Sequence, residues 1–380
     1  MSRKTEKALR VAIVAPSLDI LGGQGVQARS LVESLMADGI QVSTIAVNPR
    51  FPKGLGWARR IPVLRTLLNQ CLYVPSLTRL RQVDVVHIFS ASYWSFLLAP
   101  VPALLAAKLF SKPTILNYHS GEANDHLANW GCLVHHWLRM ADSIVVPSMY
   151  LQSVFYRHGY YARVIRNIVD ISSFSYRERS SVRPRLLSNR NLERHYGVDK
   201  VLHAFSITKT QYPEATLTIA GYGSQRSSLE QWVASKGLSG VTFVGRVEPD
   251  HMPTLYNDAD IFVNASTVDN QPISILEAFA AGLPVISTPT GDIPNMLGNG
   301  THGLLADEPH PENIANATAM LIEKPQAAQE IALSARQEVK EYTWDNVRGE
   351  WLDCYQLVVK DGKSSVRREE KCIDETTTPL

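Results

Sequence analysis

Cysteine is scarce in this sequence, and the few cysteines do not fall into pairs. There are 4 among 380 residues, and none shares the close spacing that is typical of zinc sites or redox motifs. Wide spacing favours reduced thiols over a disulfide framework. The sequence therefore predicts no metal site at its cysteines. They are Cys71, Cys132, Cys354 and Cys372.

The sequence also lacks a hydrophobic run long enough to span a membrane. The N-terminal segment MSRKTEK is polar and contains no apolar signal-like region, which argues against a secretory signal peptide. The most apolar stretch, residues 94–110, is interrupted by two prolines and a lysine, and a membrane helix needs about 20 apolar residues. These absences predict a cytoplasmic protein, with peripheral attachment to the inner face of a membrane left open.

Acidic residues are missing from one long stretch of the first half. No Asp or Glu occurs from Gly39 to Val83. Residues 1–170 hold 18 Lys and Arg against 9 Asp and Glu, whereas the remainder holds 20 against 27. The basic stretch suits an anionic surface or an anionic ligand, and a solvated basic face is the plainer alternative. Its basic residues are Arg50, Lys53, Arg59, Arg60, Arg65, Arg79 and Arg81.

Short apolar runs that end in turn residues recur along the chain and predict strands alternating with helices. The first run, RVAIVAPS, is followed by the glycine loop LGGQG and a helical pattern over 26–38. A polar link over 168–185 leads to a second series of the same kind. The predicted strands are 10–17, 40–47, 83–89, 113–120 and 142–148, then 185–191, 215–223, 241–247, 260–266 and 283–289.

This alternation predicts an α/β fold made of two Rossmann-like, doubly wound parallel-sheet domains that face each other across a cleft. Ligands of such sheets bind at the carboxyl ends of the strands. We place the domains at 1–170 and 171–342. An amphipathic helix over 343–360 is expected to pack back on the first domain, and a polar tail covers 361–380.

The segment DNQPISILEAFAAGLP, residues 269–284, carries the strongest chemical signal. It predicts a loop followed by a helix whose N-terminal N–H groups and dipole attract an anion such as a diphosphate. Glu277 lies about one turn inside this helix, where a carboxylate can accept hydrogen bonds from a ribose diol. Asp269 stands eight positions earlier. On spacing alone, a solvated helix glutamate is the plain alternative for Glu277.

Taken together, these motifs resemble the family-4 retaining glycosyltransferases of GT-B fold. The signature of that family, two acidic residues seven apart followed by Ala and later by Gly-x-Pro-Val, reads here as Asp269-x7-Glu277-Ala278 and GLPV at 282–285. The resemblance covers about residues 11–359. Further similar segments are LGGQG at 21–25, YHSG at 118–121, AGYG at 220–223, FVGRV at 243–247 and LYNDADIFVNAS at 255–266.

The resemblance implies that the second domain binds a nucleotide-sugar donor and that the first binds the acceptor. Arg190 matches the phosphate-binding arginine, Asp269 lies near the donor sugar hydroxyls, and His119 contacts the transferred sugar. Glu277 binds the donor ribose. The other implied donor-binding residues are Ile273, Ser274, Gly22, Gly23 and Gly223.

The resemblance also bears on the partners of the chain. It implies neither a metal nor a cofactor, and a UDP-sugar is favoured over a GDP-sugar from the frequency of donors in the family. The acceptor is expected to be a glycan or a lipid-linked molecule, and no nucleic acid is expected. An anionic membrane surface is a further candidate partner, contacted through the region Arg50–Arg81, because apolar residues alternate there with arginines.

Three positions depart from the family pattern. Asp269 is one carbon shorter than the usual Glu, and Pro272 replaces a frequent Gly and removes an N–H donor. Tyr196 stands where the family has a lysine before glycine. Candidates for the missing positive charge are Arg194, His195 and Lys200.

These departures keep other functions open. A non-catalytic nucleotide-sugar-binding partner subunit is one alternative, and an epimerase or a phosphorylase on the same fold is another. A dehydrogenase is disfavoured, because LGGQG is not a G-x-G-x-x-G motif and the second strand ends in Ala46-Val47-Asn48 without an acidic residue.

Overall fold

The computed structural model describes residues 9–18, 22–306 and 310–361. Its chain forms two compact units. Unit 1 consists of the chain up to Ile168 together with the chain from Val347, and unit 2 is Val169–Asn346. Unit 1 is therefore assembled from two segments that are far apart in the sequence.

Unit 1 is built on a parallel sheet of six strands in the order β2-β1-β3-β4-β5-β6. The two strands in its centre, VVHIFS and TILNY, are buried along their whole length, as expected for a parallel sheet that is covered by helices on both faces. The strands are β1 (Arg10–Ala15), β2 (Gln41–Ala46), β3 (Val85–Ser90), β4 (Thr114–Tyr118), β5 (Ser143–Val146) and β6 (Arg163–Val164). The helices of the first segment are α1 (Gly23–Ala37), α2 (Pro62–Ser76), α3 (Tyr93–Leu98), α4 (Pro100–Leu109), α5 (Ala123–Asn129), α6 (Gly131–Leu138) and α7 (Met149–Arg157).

Unit 2 has a second parallel sheet, in the order β12-β11-β10-β7-β8-β9. Renumbered within the unit, this is the strand order 3-2-1-4-5-6 of dinucleotide-binding folds. The strands are β7 (Arg185–Asn189), β8 (Thr216–Ala220), β9 (Val241–Gly245), β10 (Ile261–Asn264), β11 (Val285–Ser287) and β12 (Leu304–Leu305). The helices are α8 (Val198–Gln211), α9 (Arg226–Ser235), α10 (Met252–Asp258), α11 (Ile273–Ala281), α12 (Ile293–Met296), α13 (Pro311–Glu323) and α14 (Pro325–Glu338), and α15 (Trp344–Asp361) follows them.

Each sheet has a point where the chain changes its direction of travel across the strands. In unit 1 this point lies between β1 and β3, and in unit 2 between β7 and β10. The loops that follow these paired strands leave in opposite directions and open a crevice at the carboxyl edge, where ligands of doubly wound sheets bind. In unit 1 one contact spans the crevice, because the amide of Gln24 donates a hydrogen bond of 2.9 Å to the carbonyl of Ser90.

The link over 168–185 contains an ion cluster that fastens the helices of unit 2. The fully buried carboxylate of Asp260 accepts hydrogen bonds from Arg177 and Arg185. Burial raises the pKa of this carboxyl, but the two arginines outweigh that effect and hold its pKa below the usual range. Arg179 is buried beside it and donates to main-chain carbonyls at the ends of α10 and α11. Those carbonyls belong to Tyr256, Ala259, Ala281 and Gly282.

The last helix, α15, contributes side chains to unit 1. The hydroxyl of Tyr355 lies 2.8 Å from Nδ1 of His87 in the middle of β3, and the ring of Trp351 is centred 4.9 Å from the same imidazole. Arg348 forms an ion pair of 2.6 Å with Asp38 at the end of α1. Burial, together with the nearby His119, lowers the pKa of His87 to about 3, so its imidazole is neutral at physiological pH.

The predicted α/β fold is confirmed, and each of the ten predicted strands corresponds to an observed one. The first helix begins at Gly23, earlier than the predicted residue 26. β6 and β12 were not predicted, because two residues are too few to show an apolar pattern. Of the predicted tail, 362–380 lies outside the described residues. Within the described residues, no helix is long and apolar enough to cross a membrane.

Candidate active site

Polar side chains from three elements meet at the carboxyl edge of the unit 2 sheet. Arg190 follows β7 directly and Asp269 lies in the loop after β10, so the two flank the point where the strand order reverses. α11 begins at Ile273 a few residues later. The topology therefore brings together two residues that are 79 positions apart in the sequence.

Arg190 is held on three sides. One of its terminal nitrogens forms an ion pair with Asp269, and the other donates a hydrogen bond of 3.3 Å to the hydroxyl of Ser274. Its guanidinium carbon lies 4.3 Å from the centre of the Tyr196 ring. The arginine and aspartate side chains are only 10% and 12% exposed, so the charges are poorly screened by water. The Nε of Arg190 is buried and has no hydrogen-bond partner among the described residues.

The loop that carries Asp269 is fixed by its neighbours. The N–H of Asn270 donates to a carboxylate oxygen of Asp269 at 3.0 Å, and the N–H of Asp292 donates to the carbonyl of Asn270 at 3.0 Å. Gly291 has a φ of +61°, and a Cβ at this position would collide with the carbonyl of Asp269. Only glycine combines this backbone conformation with so close an approach.

Glu277 lies one turn inside α11 and is tied to two other side chains. The hydroxyl of Tyr256 donates to its carboxylate at 2.6 Å, and the amide of Asn189 donates at 3.4 Å. Burial raises the pKa of Glu277 to about 7, although the hydrogen bonds from Tyr256 and Asn189 and the charge of Arg190 act in the opposite direction. Near neutral pH this carboxyl is therefore poised between its two protonation states.

The N-terminus of α11 lies at the same place. Its first residues are Ile273 and Ser274, and Pro272 before them is extended, with φ −69° and ψ 122°. The first N–H groups of a helix have no intrahelical acceptor, and the helix dipole adds a partial positive charge there. The Ser274 hydroxyl already contacts Arg190, so the helix end lies beside the guanidinium and the carboxylate that is paired with it.

Gly223 is placed by close contact between two loops. A Cβ on Gly223 would clash with the carbonyl of Leu192 and would lie 2.8 Å from the carboxylate of Glu193. The N–H of Leu192 donates to the carbonyl of Tyr222 at 2.9 Å. Packing of the loop after β7 against the loop after β8 thus accounts for a glycine at this position, and its contact with a donor stays a prediction.

The remaining predicted site residues belong to unit 1. Gly22 caps α1 in an extended conformation and Gly23 is the first residue of that helix. A Cβ on either would have no described atom within 4 Å. Packing of the described residues therefore does not require these two glycines. Leu21, the first residue of the glycine loop, lies outside the described residues.

His119 follows β4, and its N–H donates to the carbonyl of Ser90 at 3.1 Å. Its ring stacks on Phe89 with 5.2 Å between centres. Burial lowers the pKa of His119 to about 4, so the imidazole is neutral at physiological pH. Its Nε2 is buried and has no hydrogen-bond partner among the described residues.

Three side chains of the unit 2 site were not predicted: Asn189, Tyr196 and Tyr256. Asn189 was within reach of the sequence, because it lies next to Arg190 among the polar residues that end the predicted strand 185–191. Tyr256 lies on α10, and the sequence gives no sign that this helix contacts α11.

Between residues 9 and 361, apart from the gaps named above, no group of three or more His, Cys, Asp and Glu residues is placed to hold a metal ion.

Solved structures are similar to this chain in fold. The structure of Anabaena Alr3699/HepE in complex with UDP and glucose matches 92% of this chain and 99% of that chain, with a TM-score of 0.71 and 17% identity. The sucrose-phosphate synthase of Thermosynechococcus elongatus matches with a TM-score of 0.70 and 18% identity, again over 92% and 99% of the two chains. The fold is that of the GT-B glycosyltransferases.

Sequence comparison gives the family. The family model "Glycosyl transferases group 1" matches residues 176–338, and "Glycosyltransferase Family 4" matches residues 21–173. The glycogen synthase of Mycobacterium tuberculosis is 30% identical over 300 residues, which cover 74% of this chain and 70% of that protein. The chain belongs to the family-4 glycosyltransferases of GT-B fold and is a transferase enzyme.

Proposed function

We propose that this enzyme transfers a sugar, with retention of anomeric configuration, from a nucleotide-sugar donor to a glycan or lipid-linked acceptor. The observation that carries the proposal is the buried, unpartnered Nε of Arg190 beside the N-terminus of α11. A guanidinium with an unused donor next to a helix N-terminus suits the diphosphate of a donor. Glu277, in the same helix, suits a ribose diol.

The chemistry follows from where charge develops. When the bond between the sugar and the diphosphate breaks, negative charge accumulates on the departing phosphate oxygens. Fixed positive groups stabilise this charge without having to reorganise. In this proposal Arg190 and the first N–H groups of α11 supply them, and Asp269 accepts hydrogen bonds from donor hydroxyls. The retention of configuration rests on the family resemblance.

Neither a metal ion nor another cofactor is needed for this proposal. The charge that a metal ion would neutralise on the diphosphate is met by Arg190 and by the end of α11. Among the possible donors we favour a UDP-sugar over a GDP-sugar. The structure of HepE, which is similar in fold over 92% of this chain, has UDP bound.

A screen of UDP-, GDP- and ADP-sugars by thermal shift tests the donor. A ligand present at a hundredfold excess over its Kd stabilises the folded protein by about 2.7 kcal/mol, so one nucleotide series should raise the melting temperature clearly. Glu277→Ala and Arg190→Ala should each abolish this rise while both proteins stay folded. Glu230→Ala, which removes an exposed carboxylate on α9, should retain it. An undiminished rise in both site variants would refute the site.

A surface of unit 1 supports a membrane-borne acceptor. Around α2, apolar side chains are exposed beside basic ones, and Val63 is 71% exposed. The cavity next to this helix, of about 460 Å³, has Leu72 in its wall and Arg50 and Arg79 among its lining residues. Exposed apolar groups among arginines are typical of segments that lie on anionic lipid. The other exposed apolar residues of this surface are Trp57, Ile61, Leu67 and Val74.

Flotation with liposomes tests this part of the proposal. The protein should float with vesicles that contain anionic phospholipid and not with neutral ones, because each Lys or Arg near an anionic surface contributes about 1 kcal/mol. Arg60→Glu combined with Arg65→Glu should abolish flotation. A charge-matched control, Lys236→Glu with Lys360→Glu, alters exposed lysines outside this surface and should float normally. Equal flotation of both pairs would remove the membrane from the proposal.

A further inference from the structure

Tyr196 occupies the position where the family pattern has a lysine, and the structure places its ring against the guanidinium of Arg190. We infer that Tyr196 is a positioning residue that holds Arg190 in the orientation needed to bind the donor diphosphate, and that it thereby replaces a second cation with an aromatic platform. This inference rests on the proposed function. It adds to it an explanation of how Arg190 can bind the diphosphate without a second cationic side chain.

The contact has the geometry of a cation–π interaction. The guanidinium carbon of Arg190 lies 4.3 Å from the ring centre, well inside the roughly 6 Å over which such pairs attract. Arg190 is only 10% exposed and Tyr196 is half-buried, so the pair is partly desolvated, which strengthens the attraction. Arginine also stacks through its flat face, as a lysine ammonium does not. The guanidinium therefore lies over the face of the ring, while its terminal nitrogens bond to Asp269 and Ser274.

The backbone fixes the position of the ring. Tyr196 ends a 3-10 turn, Arg194–Tyr196, and Gly197 follows with a φ of +63°. A Cβ on Gly197 would collide with the carbonyl of Ala265 at the end of β10. The N–H of Thr267 donates to the carbonyl of His195 at 2.8 Å. The turn that carries the ring is thus tied to the loop that leads to Asp269.

The remaining contacts of Arg190 explain why a platform matters here. Asp269 binds one terminal nitrogen and Ser274 the other, while Nε has no partner among the described residues. Without the ring, rotation about the side-chain bonds of Arg190 can turn the guanidinium further towards Asp269. The ring restricts this rotation and keeps the unpartnered edge of the guanidinium in place. Less rotamer freedom is then lost when a phosphate binds.

The sequence offered Arg194, His195 and Lys200 as replacements for the lysine, but none of their side chains bonds to Arg190 among the described residues. Arg194 and His195 are exposed and Lys200 is half-buried. No hydrogen bond or ring contact joins any of them to Arg190 in the described part of the chain. The imidazole of His195 instead packs against the ring of Tyr196, and the two ring centres are 4.2 Å apart.

Calorimetric titration of Tyr196→Leu and Tyr196→Phe tests the inference. The probes are UDP, GDP and ADP with their parent nucleosides, and the measured quantity is the ratio of nucleoside Kd to diphosphate Kd for the best-bound nucleotide. Tyr196→Leu should reduce this ratio by about fivefold to tenfold, the range expected from a partly buried cation–π pair. Tyr196→Phe keeps the ring and should stay within about twofold of the wild type.

The nucleoside titration separates this role from general damage to the fold. Binding of the nucleoside itself should not change in Tyr196→Leu when it is measured well above pH 7, because Glu277 is then ionised in both proteins and Arg190 is assigned to the diphosphate rather than to the ribose. Equal loss with leucine and phenylalanine, or loss of nucleoside binding in step with the diphosphate, would overturn the inference and leave the proposed function standing. A wild-type protein that binds none of the three diphosphates would overturn both.

Discussion

Replacing Arg190 with alanine should lower the rate of sugar transfer by about 10²- to 10³-fold, the usual cost of removing a fixed group that stabilises charge in the transition state. The loss should appear in the donor KM as well as in kcat, because Arg190 already binds the diphosphate in the ground state and the charge there grows further when the sugar bond is breaking. Steady-state kinetics with the donor identified by the screen would measure it. Arg190→Lys should recover only a minor part, since lysine cannot stack on Tyr196 or present a planar fork.

Further variants separate the loss of the guanidinium from side effects of the substitution. Arg190→Ala leaves the carboxylate of Asp269 without its ion-pair partner, and an unpaired, poorly exposed charge is itself costly. The double variant Arg190→Ala with Asp269→Asn removes this charge, so a rate that is lower in the double variant than in Asp269→Asn alone belongs to the lost guanidinium. Arg226→Ala serves as the control, because Arg226 is exposed on α9 and pairs with Glu230. Wild-type kcat in Arg190→Ala would exclude this arginine from catalysis.

Donor affinity should rise as the pH increases through about 7, because Glu277 binds a ribose diol best as a carboxylate and its pKa is raised to about 7. Below that pH, each unit of acidification should weaken binding by up to about tenfold. Calorimetry from pH 5.5 to 8.5 would show the inflection. In Glu277→Gln binding should be weak and should lack this inflection. An inflection that persists in Glu277→Gln would assign the titration to another group.

The stability of the ligand-free protein should change in the opposite direction. A carboxyl whose pKa is higher in the folded than in the unfolded state stabilises the fold at low pH, and this contribution is lost as the pH rises through the folded value. For Glu277 the pH window of this loss lies between about 4.5 and about 7.

Tyr256→Phe removes a hydrogen-bond donor to the carboxylate of Glu277. Because this hydrogen bond lowers the pKa of Glu277, its loss should move the inflection of donor binding to higher pH.

Much of this architecture can be predicted from the sequence, because buried parallel strands are continuous apolar runs that end in turns. Arg190, Asp269 and Glu277 stand out for a related reason, since each lies just after a strand or early in a helix. What the sequence cannot give is the contact between distant elements. It shows that a lysine is missing at Tyr196, but only coordinates show that the ring meets Arg190.

The glycines show the same limit from another side. Gly22 and Gly223 both follow strands in glycine-rich loops, and the sequence assigns both to the donor. In the structure Gly223 is required by the carbonyl of Leu192, whereas no atom of the described residues lies within 4 Å of a Cβ built on Gly22. A glycine that serves packing and one that leaves room for a ligand have identical letters. Only the neighbouring backbone, which is set by the tertiary fold, distinguishes them.

The division of unit 1 between two distant segments has a consequence for how the chain is made. Domains generally fold as units while the polypeptide emerges from the ribosome. Here β3 is synthesised long before Trp351 and Tyr355, which contact His87 in its middle. Unit 2 lies between the two segments of unit 1, so it can fold before α15, which completes unit 1, has been synthesised. A stand-alone version of unit 1 for biophysical work therefore requires 347–361 to be grafted after Ile168.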